Sequence, residues 1–140
     1  MDYFKTLEEM PNKIGQKNIF LADFMGRHGK ENKYLWWVNV PGVKWVTVDQ
    51  MEFHTNWNWL HAVMDKIGTI SKKGWITDAQ FVINSQEVRV NSGRWHHEWL
   101  SHVPFGDDED AQVSTQIEAT WIACYDFIIW YNAQKKEDLL

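Results

Sequence analysis

The apolar positions between Thr115 and Tyr131 recur at steps of four, three, four and three, which is the spacing of one helix face. Those positions are Ile117, Trp121, Cys124, Ile128 and Tyr131. Thr115 and Glu118 have the spacing of a capping box, in which a threonine side chain and a glutamate close the first helical turn. The breadth of the apolar face predicts a helix at the centre of the fold.

Two shorter helices are predicted on the same grounds. The first is a short helix over residues 18–25, or the last two turns of a longer one, with Gly26 as its stop. Its apolar face holds Phe20, Leu21, Phe24 and Met25. The second is capped by Thr55 or Asn56 and ends at Gly68. Its predicted buried residues are Trp57, Leu60, Val63, Met64 and Ile67, and Trp59 falls outside that stripe.

Four β-branched and aromatic segments predict strands, at residues 34–40, 43–48, 79–83 and 87–91. Pro41-Gly42 favours a type II turn between the first two, and residues 84–86 turn between the last two. Phe81 and Ile83 share one strand face, with Val88 and Val90 as their expected partners. The whole pattern predicts an α+β fold, an antiparallel sheet of about four strands flanked by three helices in the order α-β-β-α-β-β-α.

We expect residues 1–140 to form a single domain. Residues 1–17 are a polar lead-in that we expect to be loosely ordered, and residues 26–33 are a polar loop. Residues 92–113 are too long for a simple connection, so we expect a functional or interface loop there. Its acidic run, 107–110, is expected to be solvated.

Charge and composition narrow the possible partners. The net charge is −5 and the basic residues are scattered, which argues against duplex DNA or RNA as a partner. No apolar run reaches the 18 residues that a membrane span needs, and Met1 to Met10 lack the apolar core of a signal peptide. We therefore expect a soluble cytoplasmic protein. The single cysteine, Cys124, excludes an internal disulfide, and its place in the helical stripe predicts a small buried hydrophobe.

Ten tryptophans exceed what one small core needs, so we expect two to four to be partly exposed in a groove or an interface. An indole face stacks a nucleobase and an arginine binds phosphate, and together they would form a pocket for a small nucleotide. His54, at a helix start where N–H groups can hold an anion, and His97 complete this candidate set. The alternative for His54 is helix capping and core packing. The candidates are Trp36, Trp37, His54, Trp59, Arg89, Arg94, Trp95, His97 and Trp99. The alternative is that these rings form core or a homo-oligomer interface, and a homo-oligomer is the expected assembly.

Motifs for catalysis are weak. His97 and His102 are five residues apart, whereas a helical metal motif needs four, so His96, His97 and His102 are expected to line a pocket or surface and not to bind a metal. Ser92, Ser101 and Ser114 lack a nucleophile-elbow pattern, and Gly26–Lys30 lacks the spacing of a phosphate loop. We expect no enzyme activity and no cofactor.

Three segments resemble small proteins encoded by phages and prophages of gut bacteria: NIFLADFMG (18–26), FHTNWNWLHAVMDKI (53–67) and EATWIACYDFIIWYN (118–132). That group is similar to the phage "ABA sandwich" domains, in which helices flank an antiparallel sheet. The chain departs from the group at Asn58, where aspartate is expected, and in its longer segment 92–113. The resemblance implies a fold and a phage setting, but no chemistry.

Combined with this setting, the tryptophan surplus suggests a non-enzymatic protein that sequesters a small nucleotide immune signal of the host, acting in the host cytoplasm. The alternative is a protein–protein inhibitor or adaptor that acts through an aromatic surface patch. A metal-dependent hydrolase is the third possibility.

Overall fold

The computed structural model describes residues 14–28, 35–38, 40, 45–71, 80–91, 99–107 and 109–138, which form an α+β fold. Three helices lie within these residues: α1 (Ile14–Met25), α2 (Trp57–Ser71) and α3 (Gln116–Asp138). The strands are β1 (Arg27–His28), β2 (Trp36–Trp37), β3 (Trp45–Val46), β4 (Gln80–Ile83), β5 (Glu87–Asn91) and β6 (Trp99–Pro104). A 3₁₀ turn, Val48–Gln50, follows β3. The predicted α+β class and the three helices are confirmed.

The described strands form two antiparallel sheets instead of one sheet of about four strands. Sheet A has the order β1-β2-β3, and sheet B has the order β4-β5-β6. The extra strands, β1 and β6, come from segments that the sequence predicts as loops, 26–33 and 92–113. In β6, Ser101 and Val103 are buried and His102 is exposed. A serine at an inward position conceals the apolar alternation by which a strand is recognised.

Helix α3 is central, as its broad apolar face predicts. It contacts α1 and α2, and it also packs on β5 and β6 of sheet B, while sheet A packs against α1. The helices therefore lie between the two sheets. Fully buried residues come from every layer of this arrangement, and they include Leu21, Trp36, Leu60, Val88, Val103 and Phe127. None of the helices in the described part of the chain is long and apolar enough to span a bilayer.

Local side-chain bonds set where two of the helices begin. At the start of α3 the Thr115 hydroxyl accepts the N–H of Glu118 at 3.3 Å and donates to the Glu118 carboxylate at 3.0 Å. The predicted cap is confirmed, although Glu118 bonds the hydroxyl and not the backbone. At the start of α2, Asn56 Oδ1 accepts the N–H of Asn58 at 2.9 Å, so the cap is Asn56. The predicted end at Gly68 is wrong, because α2 continues to Ser71 and a glycine inside a helix costs only about 1 kcal/mol.

The β4–β5 hairpin has the predicted register. Phe81 pairs with Val90, and Ile83 pairs with Val88. The turn is held by Asn84, whose side-chain oxygen accepts the N–H groups of residues 86 and 87, each at 2.9 Å. This asparagine explains why the turn forms at the predicted place.

Helix α1 ends at Met25, followed by the predicted Gly26, but for a reason that the sequence does not reveal. A Cβ at Gly26 would lie 1.5 Å from the carbonyl oxygen of Trp37. The glycine is therefore needed because β2 passes directly over the helix end. The same end is capped from α2, where the Lys66 ammonium donates to the Phe24 carbonyl and lies 4.8 Å from the Phe24 ring centre.

Candidate functional site

A buried asparagine links the beginning of α1 to two distant parts of the chain. Asn18 is 1% exposed and shares the buried face of α1 with Leu21, Ala22 and Met25. Its Oδ1 lies 2.8 Å from the indole nitrogen of Trp121, and its Nδ2 lies 3.0 Å from His54 Nδ1. Since an indole N–H can only donate, Oδ1 must face Trp121, and the amide N–H must donate to His54. The orientation of the Asn18 amide is thereby fixed.

This orientation determines the state of His54. Because Nδ1 accepts a hydrogen bond, the neutral ring carries its proton on Nε2. Burial lowers the pKa of His54, and the nearby carboxylates of Glu118 and Glu52 oppose that shift. With an ordinary histidine pKa of about 6.5, a lowered value means that His54 is neutral at pH 7. The Trp121 ring, centred 5.7 Å away, packs beside it.

His54 and Asn18 line a cleft of about 350 Å³ between the beginning of α1 and residues 48–54. The other lining residues are Ile14, Gly15, Val48, Asp49 and Met51. The volume lies near the lower end of the range for small-ligand pockets, about 300–1,000 Å³. The cleft is therefore sized for one small molecule, with apolar walls and a few polar groups.

Short local bonds hold the two walls of the cleft. The 3₁₀ turn that carries Val48 and Asp49 is closed by Gln50, whose side chain accepts the Thr47 N–H at 3.0 Å. His54 lies in the next turn, where the carbonyl of Glu52 accepts the N–H groups of residues 55 and 56 at 3.1 and 2.9 Å. Asn18 lies on α1, Trp121 lies on α3, and His54 lies in the turn before α2. Three separate segments of the chain therefore contribute to the site.

Two of the predicted ligand-binding indoles belong to the core. Trp36 is fully buried and its indole N–H donates to Asp23 at 2.8 Å. Trp59 is 3% exposed and packs edge-on against Phe53, with ring centres 4.8 Å apart. The predicted burial of Leu60, Val63 and Ile67 on α2 is confirmed, but Trp59 is buried as well, whereas Trp57 and Met64 are half-buried. Neither buried ring offers a face to a ligand.

Trp37 and Trp45 are exposed, by 40% and 43%, on the outer side of sheet A. They are register partners of β2 and β3, whereas Trp36 and Val46 are the inward pair. Trp37 belongs to the predicted site, and Trp45 was missed. Neither of them lines the cleft beside His54. Their exposure agrees with the expectation that two to four of the tryptophans are partly exposed.

Arg89, predicted to bind phosphate, is engaged by a carboxylate. Its Nη2 lies 2.7 Å from Glu87 Oε1, and His102 also bonds to Glu87. The hydrogen bond with His102, and then the contact with Arg89, lowers the pKa of Glu87. All three residues lie on the outer side of sheet B, and none lines the cleft. The positive charge of Arg89 is thus offset locally.

Other predicted site residues fall beyond the described parts of the chain. Arg94, Trp95 and His97 lie outside the described residues, and Trp99 is placed only as backbone in β6. Among the residues that are described, no group of three His, Cys, Asp or Glu side chains could hold a metal ion. Cys124 is fully buried, as predicted, and burial raises the pKa of its thiol.

The sequence contains one indication that Asn18 is buried. This residue precedes Leu21, Ala22 and Met25 by three, four and seven positions, which puts a polar side chain on the apolar face of the helix. The predicted face instead included Phe20, which is 39% exposed. A buried polar group needs a partner, so this pattern indicates a specific contact. Asp49 and Met51 carry no comparable signal.

No protein-family model, curated protein or solved structure matches this chain. The segments 18–26, 53–67 and 118–132, which the sequence analysis singled out, meet in the network described above. Asn18 begins the first segment, His54 lies in the second, and Trp121 lies in the third. The contacts at this site therefore involve all three.

Proposed function

We propose that this protein is a non-enzymatic binding protein that captures one small ligand in the cleft beside His54. The observation that carries the proposal is the buried Asn18, which is held by Trp121 and in turn holds His54. Among the residues that the structure describes, none accepts a hydrogen bond from Nε2–H of this ring, so that N–H can serve as a donor to a ligand. Because the donor is already oriented, a ligand loses less freedom on binding, which favours affinity.

The same network supports binding over catalysis. A general base needs a free lone pair within reach of the proton that it removes. In neutral His54 the lone pair on Nδ1 is engaged by Asn18, and Nε2 carries the proton. His54 can donate a hydrogen bond to a ligand, but it has no free acceptor nitrogen. This arrangement favours a binding role for His54 over a role as a general base.

The biological setting of the proposal comes from the resemblance to phage and prophage proteins. In that setting, the protein would act in the cytoplasm of the host, as a homo-oligomer that removes a small immune signal from solution, and a nucleotide is one candidate for that signal. The cleft volume of about 350 Å³ favours a ligand of modest size over a large cyclic oligonucleotide.

The direct test is native mass spectrometry of protein purified from its host under gentle conditions. Wild type is expected to retain a small molecule, and Val48→Phe, which fills the cleft, is expected to lose it. Val82→Phe is the matched control, because Val82 is 41% exposed on β4 and does not line the cleft. An empty wild type, or equal retention by both variants, would remove the basis for this proposal.

A second candidate function rests on the exposed pair Trp37 and Trp45. Two indoles on one sheet face are typical of a surface that binds another protein, because tryptophan is enriched at interface hot spots. A Trp37→Ser/Trp45→Ser double variant should then lose a stoichiometric partner in pull-downs from host lysate, while Val48→Phe keeps it. The opposite result would assign the function to the cleft.

A further inference from the structure

The charge around the cleft is predominantly negative. Among the lining residues that the structure describes, Asp49 is the one with a formal charge, and its carboxylate is exposed at the rim. Two more carboxylates, Glu52 and Glu118, act electrostatically on His54 from nearby. His54 itself is neutral at pH 7, so it does not offset these charges. A cation is therefore favoured in this cleft and an anion is disfavoured.

The apolar part of the lining is equally specific. Ile14, Val48 and Met51 supply aliphatic and thioether groups beside Asp49. Such walls cover a short apolar body, while the carboxylate takes a positive group at one end. His54 Nε2–H adds one donor, which suits an acceptor atom elsewhere on the ligand.

We infer that the ligand of this cleft carries a protonated amine or amidine on a short apolar body, with the cation at Asp49. The inference rests on the proposed function, and it names the chemical class that the cleft selects. It differs from the nucleotide expectation, because a phosphate would meet Asp49 without a compensating basic side chain among the described lining residues. Each unit of ligand charge should change affinity by about tenfold at such a rim carboxylate.

The test uses three probes of equal size and different charge: 2-phenylethylamine, 2-phenylethanol and phenylacetate, titrated at pH 7 and followed by NMR. Wild type should bind the amine about tenfold more tightly than the alcohol, and phenylacetate least. Asp49→Asn should reduce the preference for the amine over the alcohol severalfold, while the charges of Glu52 and Glu118 remain. The control Asp107→Asn removes the same charge from an exposed position that does not line the cleft, and it should preserve the order.

Several results would overturn the inference. They are an equal or reversed order in wild type, an equal loss of preference in the Asp107→Asn control, and tighter binding of adenosine monophosphate than of the amine. If all three probes fail to bind while native mass spectrometry shows a retained molecule, the ligand class is wrong and the proposed function stands. If the purified wild type also retains no small molecule, both fail.

Discussion

Gly26→Ala should destabilise this protein strongly, because the added methyl group has no room. It would lie 1.5 Å from the Trp37 carbonyl oxygen, 2.7 Å from the Trp37 carbonyl carbon and 3.2 Å from the Val38 Cα. All three are backbone atoms, so no side-chain rotation relieves the clash. Restoring even 3.0 Å to the oxygen requires β2 to move by 3.0 − 1.5 = 1.5 Å relative to α1.

The size of the effect can be bounded. Overpacking in well-packed regions costs about 1–3 kcal/mol, and a clash with backbone belongs at the upper end. For a domain of this size 1 kcal/mol shifts the melting temperature by about 2–4 °C, so a loss of about 3 kcal/mol corresponds to about 6–12 °C. Moving β2 would also change the environment of Trp37, the exposed residue of that strand.

Gly68→Ala is the matched control. A Cβ at Gly68 meets nothing within 4 Å, and the residue lies inside α2. This substitution should stabilise the protein by about 0.5–1 kcal/mol, because alanine restricts the unfolded chain and favours helix. Both variants would be compared with wild type by calorimetry and urea unfolding. A Gly26→Ala protein that melts within about 2 °C of wild type would refute the packing of β2 over α1.

Two further expectations concern pH. The folded pKa of His54 is lowered, so its contribution to stability is full above the unfolded value of about 6.5 and is lost as the pH falls through the folded pKa. Trp121→Phe removes the indole N–H that fixes the Asn18 amide, so the amide can rotate and accept a hydrogen bond from charged His54. The variant should therefore lose less stability than wild type as the pH falls. At pH 7 it should be less stable than wild type by about 1–3 kcal/mol. Asp126 has the opposite sign: burial raises its pKa, so its contribution is full at low pH and is lost as the pH rises through the folded pKa. Asp126→Asn keeps an oxygen for the Ser101 hydroxyl, 2.7 Å away, and should raise the melting temperature at pH 7.

Both are checked by melting curves between pH 4 and pH 8. The His54 argument fails if Trp121→Phe and wild type lose the same stability between pH 7 and pH 5. The Asp126 argument fails if the asparagine variant is clearly less stable than wild type at pH 7, since that would mean that the charge itself is needed. Ser101→Ala serves as the control that removes the hydrogen bond but keeps the carboxylate.

The parts of the fold that the sequence predicts well are those in which one face of an element is uniformly apolar. Helix α3 shows its stripe over about four turns, and the β4–β5 pair shows alternation in both strands, so the helix and the hairpin register were predicted correctly. Strand β6 was not predicted, because Ser101 takes the place of an apolar residue at an inward position. Its hydroxyl is satisfied by Asp126, 25 positions away, and a local pattern contains no trace of such a contact.

Register explains why the exposed indoles were only half predicted. With a two-residue turn at Pro41-Gly42, Trp37 would pair with Val46, but it pairs with Trp45. A shift of one residue moves every side chain of a strand to the opposite face. Trp45 could therefore not be assigned to the outer side from its alternation alone.

The candidate site was the least accessible to sequence reasoning. His54 was selected for its place at a helix start, but its partners Asn18 and Trp121 are separated from it by long stretches of chain. Asn18 is 36 positions from His54 and 103 from Trp121. Only the packing of α1 on α3 brings them together, and that packing depends on the whole core.

The central place of α3 also bears on how the chain assembles during synthesis. Residues 116–138 cover α1, α2 and sheet B at once. A nascent polypeptide that has emerged only as far as β6 lacks α3, so the apolar surfaces that α3 covers are still exposed to water. Such a chain should depend on chaperones and should be cut readily by proteases. The cleft beside His54 is completed equally late, because the indole that fixes the Asn18 amide belongs to α3.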